Sequence, residues 1–219
     1  MNAATAAVTS VNTGVTVDVP WGTLRRSAID KRPATGPVGV GTLGLEGDEI
    51  ADLVHHGGPH KAVYAFAGED LRTWAGELGK PLRPGQFGEN LTTTGIDVTA
   101  SCIGDRWRIG TAVLEVATVR IPCSVFAGFI DERQWVRRFV QKGRPGAYLR
   151  VIEQGHLSAG DEIHVIERRG HDVTVGLMFR ALTTQRELLP RLVDEPRVPP
   201  DVRETARRYL DGLSRPGHR

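Results

Sequence analysis

Short segments with strand character fill the chain up to about residue 168, and this pattern most limits the folds open to it. Each segment is bounded by glycine, proline or aspartate, and they cover residues 11–19, 38–43, 62–66, 106–109, 113–116, 147–153 and 162–167. Many short strands with turn residues at irregular spacing favour a barrel or sandwich over a layered parallel sheet. The sequence therefore predicts a mainly β fold with some α structure, built on a barrel-like body.

Two helices are predicted to interrupt the strands. In residues 69–78 apolar side chains recur at helical spacing, and Gly79 follows as a stop signal. Residues 132–142 carry a similar apolar stripe, and Gly143 follows it. Both helices are expected to face the core.

After Gly170 the strand pattern ends, and prolines separate three predicted short helices at residues 175–182, 186–195 and 200–210. Helices this short bury little apolar area alone, so they should dock on the β-rich body. We expect a barrel-like domain over residues 1–170, a three-helix tail over 171–213 and disorder over 214–219.

Composition places the chain among ordinary globular proteins, with 40% hydrophobic and 25% charged residues. A formal net charge of +2 does not indicate stable nucleic-acid binding. Only Cys102 and Cys123 occur among 219 residues, which favours a reducing compartment. No apolar stretch reaches the roughly 18 residues of a membrane helix, and the first residues lack a basic leader pattern. The expectation is a cytoplasmic protein without a membrane segment.

Cys123 is the strongest single candidate for chemistry. It follows Arg120-Ile121-Pro122 at the end of a strand-like segment, where side chains often meet ligands. A nearby cation favours the thiolate, which is the reactive and metal-binding form of cysteine, and Arg120 supplies such a cation. The residue alone leaves a structural alternative open, because free cysteine is often a small buried apolar side chain.

A second candidate site precedes a strand and contains His55, His56, Gly58 and Lys61. Glycine lets the backbone approach a ligand closely, and histidine and lysine donate to phosphate or carbonyl oxygens. A zinc site is the rival interpretation, but the histidine spacing differs from the usual pairs and no cysteine pair lies near. The glycine pair also fits an ordinary turn.

Glu89 and Asn90 form a third candidate, in a glycine-containing loop ahead of a likely strand position. They can orient a ligand through hydrogen bonds, although such a pair also commonly caps a turn. Between Arg133 and Arg150, six positive charges occur with no acidic residue, and Arg144 is one of them. This run fits either an anion-facing surface or a solvated helix face.

Taken in order, these motifs resemble the MOSC domain family and, within it, the YiiM-like branch. The resemblance covers residues 47–66, 87–91, 103–110, 120–123 and 143–150, and the region 173–210 resembles the three-helix tail of this branch. It implies a β-barrel-like fold that binds the molybdenum cofactor, a pterin whose dithiolene holds molybdenum and whose tail ends in phosphate. One departure is Val125, where many sequences of the branch have a lysine two residues after the cysteine.

The resemblance implies that Cys123 is a protein ligand to molybdenum, a role that suits a soft thiolate, and it leaves Cys102 as structural. Glu89 and Asn90 would orient the pterin or the substrate, and Glu89 would also be a catalytic proton donor. The implied cofactor-binding residues are polar, basic or close to the ligand: His55, His56, Gly58, Lys61, Asn90, Arg120, Arg144 and Arg150.

The implied activity is the reduction of N-hydroxylated compounds, such as hydroxylamines or hydroxylaminopurines, to amines. Two cysteines cannot hold a four-cysteine iron–sulfur cluster, and no G-x-G-x-x-G motif stands between a strand and a helix. A flavin or ferredoxin-type reductase is therefore implied as the external electron donor. Two alternatives stay open, which are sulfur transfer through a persulfide on Cys123 and a non-enzymatic cofactor carrier.

Overall fold

A computed structural model describes residues 5–22, 24–53 and 56–214 of the chain. The strands of these ranges are β1 (Ala7–Thr13), β2 (Val17–Asp18), β3 (Arg26–Ser27), β4 (Arg32–Pro33), β5 (Val38–Gly41), β6 (Gly44–Leu45), β7 (Val63–Ala67), β8 (Leu91–Thr94), β9 (Arg106–Ile109), β10 (Ala112–Val119), β11 (Ala147–Glu153), β12 (Gly155–Leu157) and β13 (Ile163–Glu167). The α-helices are α1 (Gly68–Leu78), α2 (Ser124–Ile130), α3 (Trp135–Lys142), α4 (Val175–Thr183) and α5 (Pro200–Ser214). Short 3₁₀ helices cover Pro59–Lys61 and Arg186–Leu192.

The main sheet has eight strands in the order β13-β9-β10-β11-β7-β8-β1-β4 within the described ranges. Neighbouring strands are antiparallel except for β7 and β8, which are parallel. Parallel neighbours need a crossover connection, and α1 lies in the segment that joins these two strands. The sheet is therefore mixed, and β7, β10 and β11 lie inside it.

The sheet curls towards closure without completing a barrel. An isolated antiparallel bridge pairs Ala7 with Glu162, and the Val8 amide donates to the Asp161 carbonyl at 2.9 Å. These contacts join β1 to the chain just before β13 over only a few residues. The predicted β-rich body with C-terminal helices is confirmed, but helices hold about as much of the chain as strands do.

The glycine-rich run at residues 39–44 has the spacing of the G-x-G-x-x-G pattern but not its structural context. It forms the β5 and β6 hairpin, in which Gly41 pairs with Gly44. A dinucleotide-binding turn must open a helix after its strand, so this segment has the wrong structural context.

An aromatic cluster joins the helices to the sheet. The rings of Trp74, Phe87, Phe126, Trp135 and Phe139 pack with centroid separations between 4.7 and 6.3 Å. All five side chains are almost fully buried. The two predicted helices appear as α1 and α3, and their apolar faces meet in this cluster as the spacing predicted.

Helix α2 is absent from the sequence-based prediction. Its seven residues are too few to show a helical repeat, and they include Gly128, which weakens a helix in isolation. The helix forms in the folded chain because Phe126 and Ile130 bury one face against the core.

The C-terminal helices pack on the same apolar core as the sheet. The buried side chains of α4 include Leu177, Met178 and Phe179. The middle predicted helix is a 3₁₀ segment, since Pro190 lies within it and has no amide hydrogen to donate. The domain boundary near residue 170 remains a proposal, and the predicted disorder of 214–219 falls on residues that, apart from Ser214, lie outside the described ranges.

No helix within the described ranges is long and apolar enough to cross a bilayer.

Truncation of Phe87 should show that the aromatic cluster stabilises the fold. Phe87 is fully buried between the rings of Trp74 and Phe126, so Phe87→Ala leaves a cavity. We expect the free energy of unfolding in urea to fall by about 3–5 kcal/mol. Leu213→Ala on α5 is the control, because its side chain is 65% exposed and its loss should matter little. Equal effects of the two changes would contradict a central role for the cluster.

Candidate active site

One solvent-open pocket gathers residues from distant parts of the chain. Its empty space is about 760 Å³. The polar side chains that line it include four cations, three carboxylates, an imidazole, a thiol, two phenols and an amide. The lining includes Lys31, Asp48, His56, Lys61, Tyr64, Asn90, Arg120, Cys123 and Tyr148.

Arg120, directly after β10, is the most deeply buried cation of the pocket, with 6% of its surface exposed. Its guanidinium carbon lies 5.0 Å from the ring centroid of Tyr64 and 4.6 Å from that of Phe126. Its Nη1 donates to the hydroxyl of Tyr148 at 3.2 Å. Burial opposes the charge, but Tyr148, Tyr64 and Cys123 together raise the pKa of Arg120 above its ordinary value.

The guanidinium of Arg120 is incompletely paired. Its Nε is buried and has no hydrogen-bond partner, and no carboxylate among the described residues lies within ion-pair distance of it. A buried charge normally has a counterion, because moving it out of water is costly. The pocket therefore presents a positive group that is suited to an anionic ligand.

Lys31 contributes to the pocket lining through a buried ion pair with Asp48. The side chains of Lys31 and Asp48 are 9% and 5% exposed. Asp48 Oδ2 also accepts from Asn90 Nδ2 at 2.8 Å, and its Oδ1 accepts from the Gly14 amide at 2.8 Å. Burial lowers the pKa of Lys31 below its ordinary value of 10.5, and the charge of Asp48 opposes this shift.

Asn90 links this pair to the main sheet. Its Oδ1 accepts from the Tyr64 amide at 3.0 Å, and its Nδ2 also donates to the Asn12 carbonyl at 3.2 Å. The side-chain amide thus has partners on both sides. Asn90 fixes the distance between the irregular chain that carries Asp48 and the strand that carries Tyr64.

Cys123 lines the pocket with a partly exposed free thiol. It is the residue that precedes α2, and its carbonyl accepts a 3.0 Å hydrogen bond from the Ala127 amide. Cys102 lies elsewhere, where its thiol donates to the His171 carbonyl at 3.0 Å. Burial raises the pKa of Cys102 above its ordinary value, with Asp105 adding to the shift.

The histidine and lysine segment contributes part of its predicted set. His56 and Lys61 line the pocket. Gly58 does not line it but has φ of 93° just before the turn Pro59–Lys61, a conformation that glycine adopts at little cost. His55 lies outside the described residues.

Glu89 lies behind the pocket wall and is fully buried. Its carboxylate accepts from the Gly85 amide at 2.6 Å, the Phe87 amide at 2.9 Å and the Thr92 hydroxyl at 2.9 Å. Burial raises the pKa of Glu89 above its ordinary value of 4.5, and these hydrogen bonds oppose the shift. Its visible contacts hold the loop that carries Asn90.

The structure does not bring Arg144 or Arg150 to the pocket lining. Arg144 pairs with Asp70 and, at 2.9 Å, with Asp97. Arg150 pairs at 2.7 Å with Glu115, a buried carboxylate. The basic run therefore divides between ion pairs and exposed surface.

Sequence reasoning missed Lys31, Asp48, Tyr64 and Tyr148 as pocket residues. Asp48 and Tyr64 fall within the motif at residues 47–66, so that motif held a usable signal. Lys31 follows an irregular segment with no motif, and only the folded chain shows that it meets Asp48.

Comparisons with known proteins found similar sequences and a similar fold. A model of the MOSC domain matches residues 52–164. YflK of Bacillus subtilis, an uncharacterized protein, is 38% identical over 149 residues, which are 68% of this chain and 67% of that protein. A fungal protein of Gibberella moniliformis named reductase is 35% identical over 148 residues, covering 65% of this chain and 26% of its own length.

The crystal structure of YiiM from Geobacillus stearothermophilus is similar over 94% of this chain and 99% of that one, with a TM-score of 0.79 and 27% identity.

Removal of Asp48 should expose the energetic role of the buried pair. In Asp48→Asn the ammonium of Lys31 loses its counterion, and we expect the free energy of unfolding to fall by about 3–5 kcal/mol at neutral pH. Unfolded Lys31 keeps its proton up to its ordinary pKa of 10.5, whereas the folded pKa is lower. Between the folded pKa of Lys31 and its ordinary pKa of 10.5, the unfolded state binds more protons than the folded state. The free energy of unfolding therefore rises with pH in that range.

The deficit of Asp48→Asn should therefore shrink between about pH 7 and about pH 10 in urea titrations. The double variant Lys31→Met with Asp48→Asn is the control, because it leaves no ammonium and should show no such recovery. A deficit that is the same at both pH values would contradict the assignment.

Proposed function

Because the chain belongs to the MOSC domain family and to its YiiM-like branch, we propose that it binds the molybdenum cofactor and reduces N-hydroxylated compounds to amines. Electrons would come from an external donor. The observation that carries the proposal is the buried guanidinium of Arg120, which has no carboxylate partner in the described part of the chain and shares a pocket with the thiol of Cys123.

The charge of the pocket fits an anionic cofactor. Arg120 offers an unpartnered Nε, and arginine remains charged and recognises phosphate or other oxyanions with several donors. Lys61 and His56 add donors to the lining. The pterin and its phosphate would be held by these side chains, whereas Lys31 adds no net charge because Asp48 is its counterion.

The thiol of Cys123 fits a soft metal. Thiolate is a preferred ligand of soft metal ions, and the pocket leaves this sulfur partly exposed. Cys102 offers no equivalent, since its thiol is engaged with a backbone carbonyl and lies outside the lining. We therefore assign the protein ligand to Cys123.

The remaining polar residues hold the pocket in shape. Asp48 and Asn90 fix Lys31, and Glu89 fixes the loop that presents Asn90. A positioning role fits Glu89 better than proton donation at the reacting atoms, because its carboxylate does not line the pocket. Lys31 and Tyr148 are two of the lining groups that carry protons which could lie near a bound substrate.

The cofactor, when bound, supplies the two-electron chemistry, and the protein supplies binding and orientation. In the overall reaction the N–O bond of R–NHOH breaks, two electrons and two protons are consumed, and R–NH₂ and water leave. The fungal relative named reductase is consistent with this class of reaction. The matched region is about a quarter of that protein, so the comparison bears on the MOSC part of the reaction and not on the source of the electrons.

The metal assignment predicts a difference between the two cysteines. The protein should be purified from a host that makes the cofactor, and molybdenum per chain should be measured by elemental mass spectrometry. Cys123→Ala removes the proposed ligand, so its molybdenum content should fall at least about tenfold. Cys102→Ala is the matched control and should keep the metal content of the original protein.

Negligible metal in all three proteins, with a known molybdoenzyme loaded in the same host, would overturn the proposal. A mass increase of one sulfur on Cys123 without molybdenum would instead support persulfide transfer.

Arg120→Met tests whether the guanidinium serves a ligand or the fold. Burying this charge costs several kcal/mol, and its two cation–π contacts and the Tyr148 hydrogen bond return a similar amount, so the free energy of unfolding of the metal-free variant should stay within about 2 kcal/mol of that of the original protein. Its molybdenum content should nevertheless fall sharply. Arg144→Met is the control, since that arginine has carboxylate partners outside the pocket and should not affect loading. Lower stability with normal loading would show that Arg120 is structural.

A further inference from the structure

A shallow groove on the surface lies between α2 and α3, away from the pocket. Its lining is mostly apolar, and Val136 is 40% exposed within it. The groove residues, here called the α2–α3 groove, are Ala127, Glu132, Gln134, Trp135, Val136, Arg137, Val140, Gln141 and Thr184. An exposed apolar surface of this kind often marks an interaction site.

The rim of the α2–α3 groove carries excess positive charge. Arg133 and Arg137 are exposed and have no ion pair among the described residues. Arg138 and Lys80 share Glu132, at 3.8 and 2.6 Å. Apart from Asp131 and Glu132, residues 131–142 carry only basic charged side chains. The rim would therefore attract an acidic surface and repel a basic one.

One helical turn connects this groove to the pocket. Ala127 lines the groove, and its amide donates to the Cys123 carbonyl at 3.0 Å, while Cys123 lines the pocket. A turn of α-helix rises about 5.4 Å. The groove and the pocket therefore share α2, and a single helical turn joins a groove residue to the proposed metal ligand.

We propose that the α2–α3 groove is the docking surface for an acidic electron-transfer protein, which delivers the electrons that the proposed reductase activity requires. This inference rests on the proposed function. The apolar floor would be covered by the partner, and Arg133 and Arg137 would steer its approach and orient it. An apolar centre with a charged rim and a modest area is typical of transient complexes between redox proteins.

The test uses a reduced, acidic plant-type [2Fe–2S] ferredoxin as the probe and the full chain as its partner. Binding is measured by calorimetry at low and high ionic strength. Arg133→Glu with Arg137→Glu should weaken binding at least about tenfold at low ionic strength, because two attractive contacts become repulsive. Arg207→Glu with Arg208→Glu on α5 is the matched control, with the same charge change on an exposed helix face, and should bind as the original chain does.

Turnover separates this inference from the proposed function. Dithionite with methyl viologen is a small reductant that needs no docking surface, and it should support hydroxylamine reduction equally in the original chain and in the groove variant. Ferredoxin-driven turnover should fall about tenfold or more in the groove variant alone.

No turnover with dithionite in the molybdenum-loaded protein would overturn the proposed activity. The binding data would still show whether the α2–α3 groove binds the ferredoxin. Absence of salt-sensitive ferredoxin binding, or equal losses in the groove and control variants, would overturn the docking surface and leave the reductase proposal standing.

Discussion

The pocket depends on one buried charge, the guanidinium of Arg120, which the fold holds without a carboxylate partner in its described part. The register of the sheet makes this possible, because Tyr148 of β11 pairs with Tyr64 of β7 and their rings lie 5.0 Å apart beside it. Phe126 closes the other side at 4.6 Å from the guanidinium. The aromatic cluster fixes the position of Phe126, so the packing of the core also determines the surroundings of the buried charge.

The part of the lining that contains Lys31 and Asp48 is built differently, from side-chain hydrogen bonds between irregular segments of the chain. Lys31 and Asp48 lie outside the strands of the main sheet, and Asn90 ties them to β7 through the Tyr64 amide. A network of this kind holds its geometry only when each member is satisfied, because a buried polar group without a partner is costly. The contrast between a satisfied wall and the unsatisfied Nε of Arg120 shows where a ligand would add the missing contacts.

Local patterns predicted the parts of this structure that local physics determines. Helices α1 and α3 have a periodic apolar face, and the spacing of Arg120 and Cys123 at a strand end indicated the pocket. The pairing of Lys31 with Asp48 was not predictable, because tertiary contacts alone bring the two segments together. The same reason separates Arg144 and Arg150 from the pocket, since nothing local reveals which arginine of a basic run will find a buried carboxylate such as Glu115.

The central claim is that the thiol of Cys123 is bound to a metal in a pocket whose charge suits an anionic cofactor. X-ray absorption at the molybdenum edge tests this most directly, since it counts the sulfur atoms around the metal. In the molybdenum that Cys123→Ser still holds after concentration, the account predicts one sulfur ligand fewer than in the original protein, with the dithiolene sulfurs retained. An identical sulfur count in both proteins would contradict it.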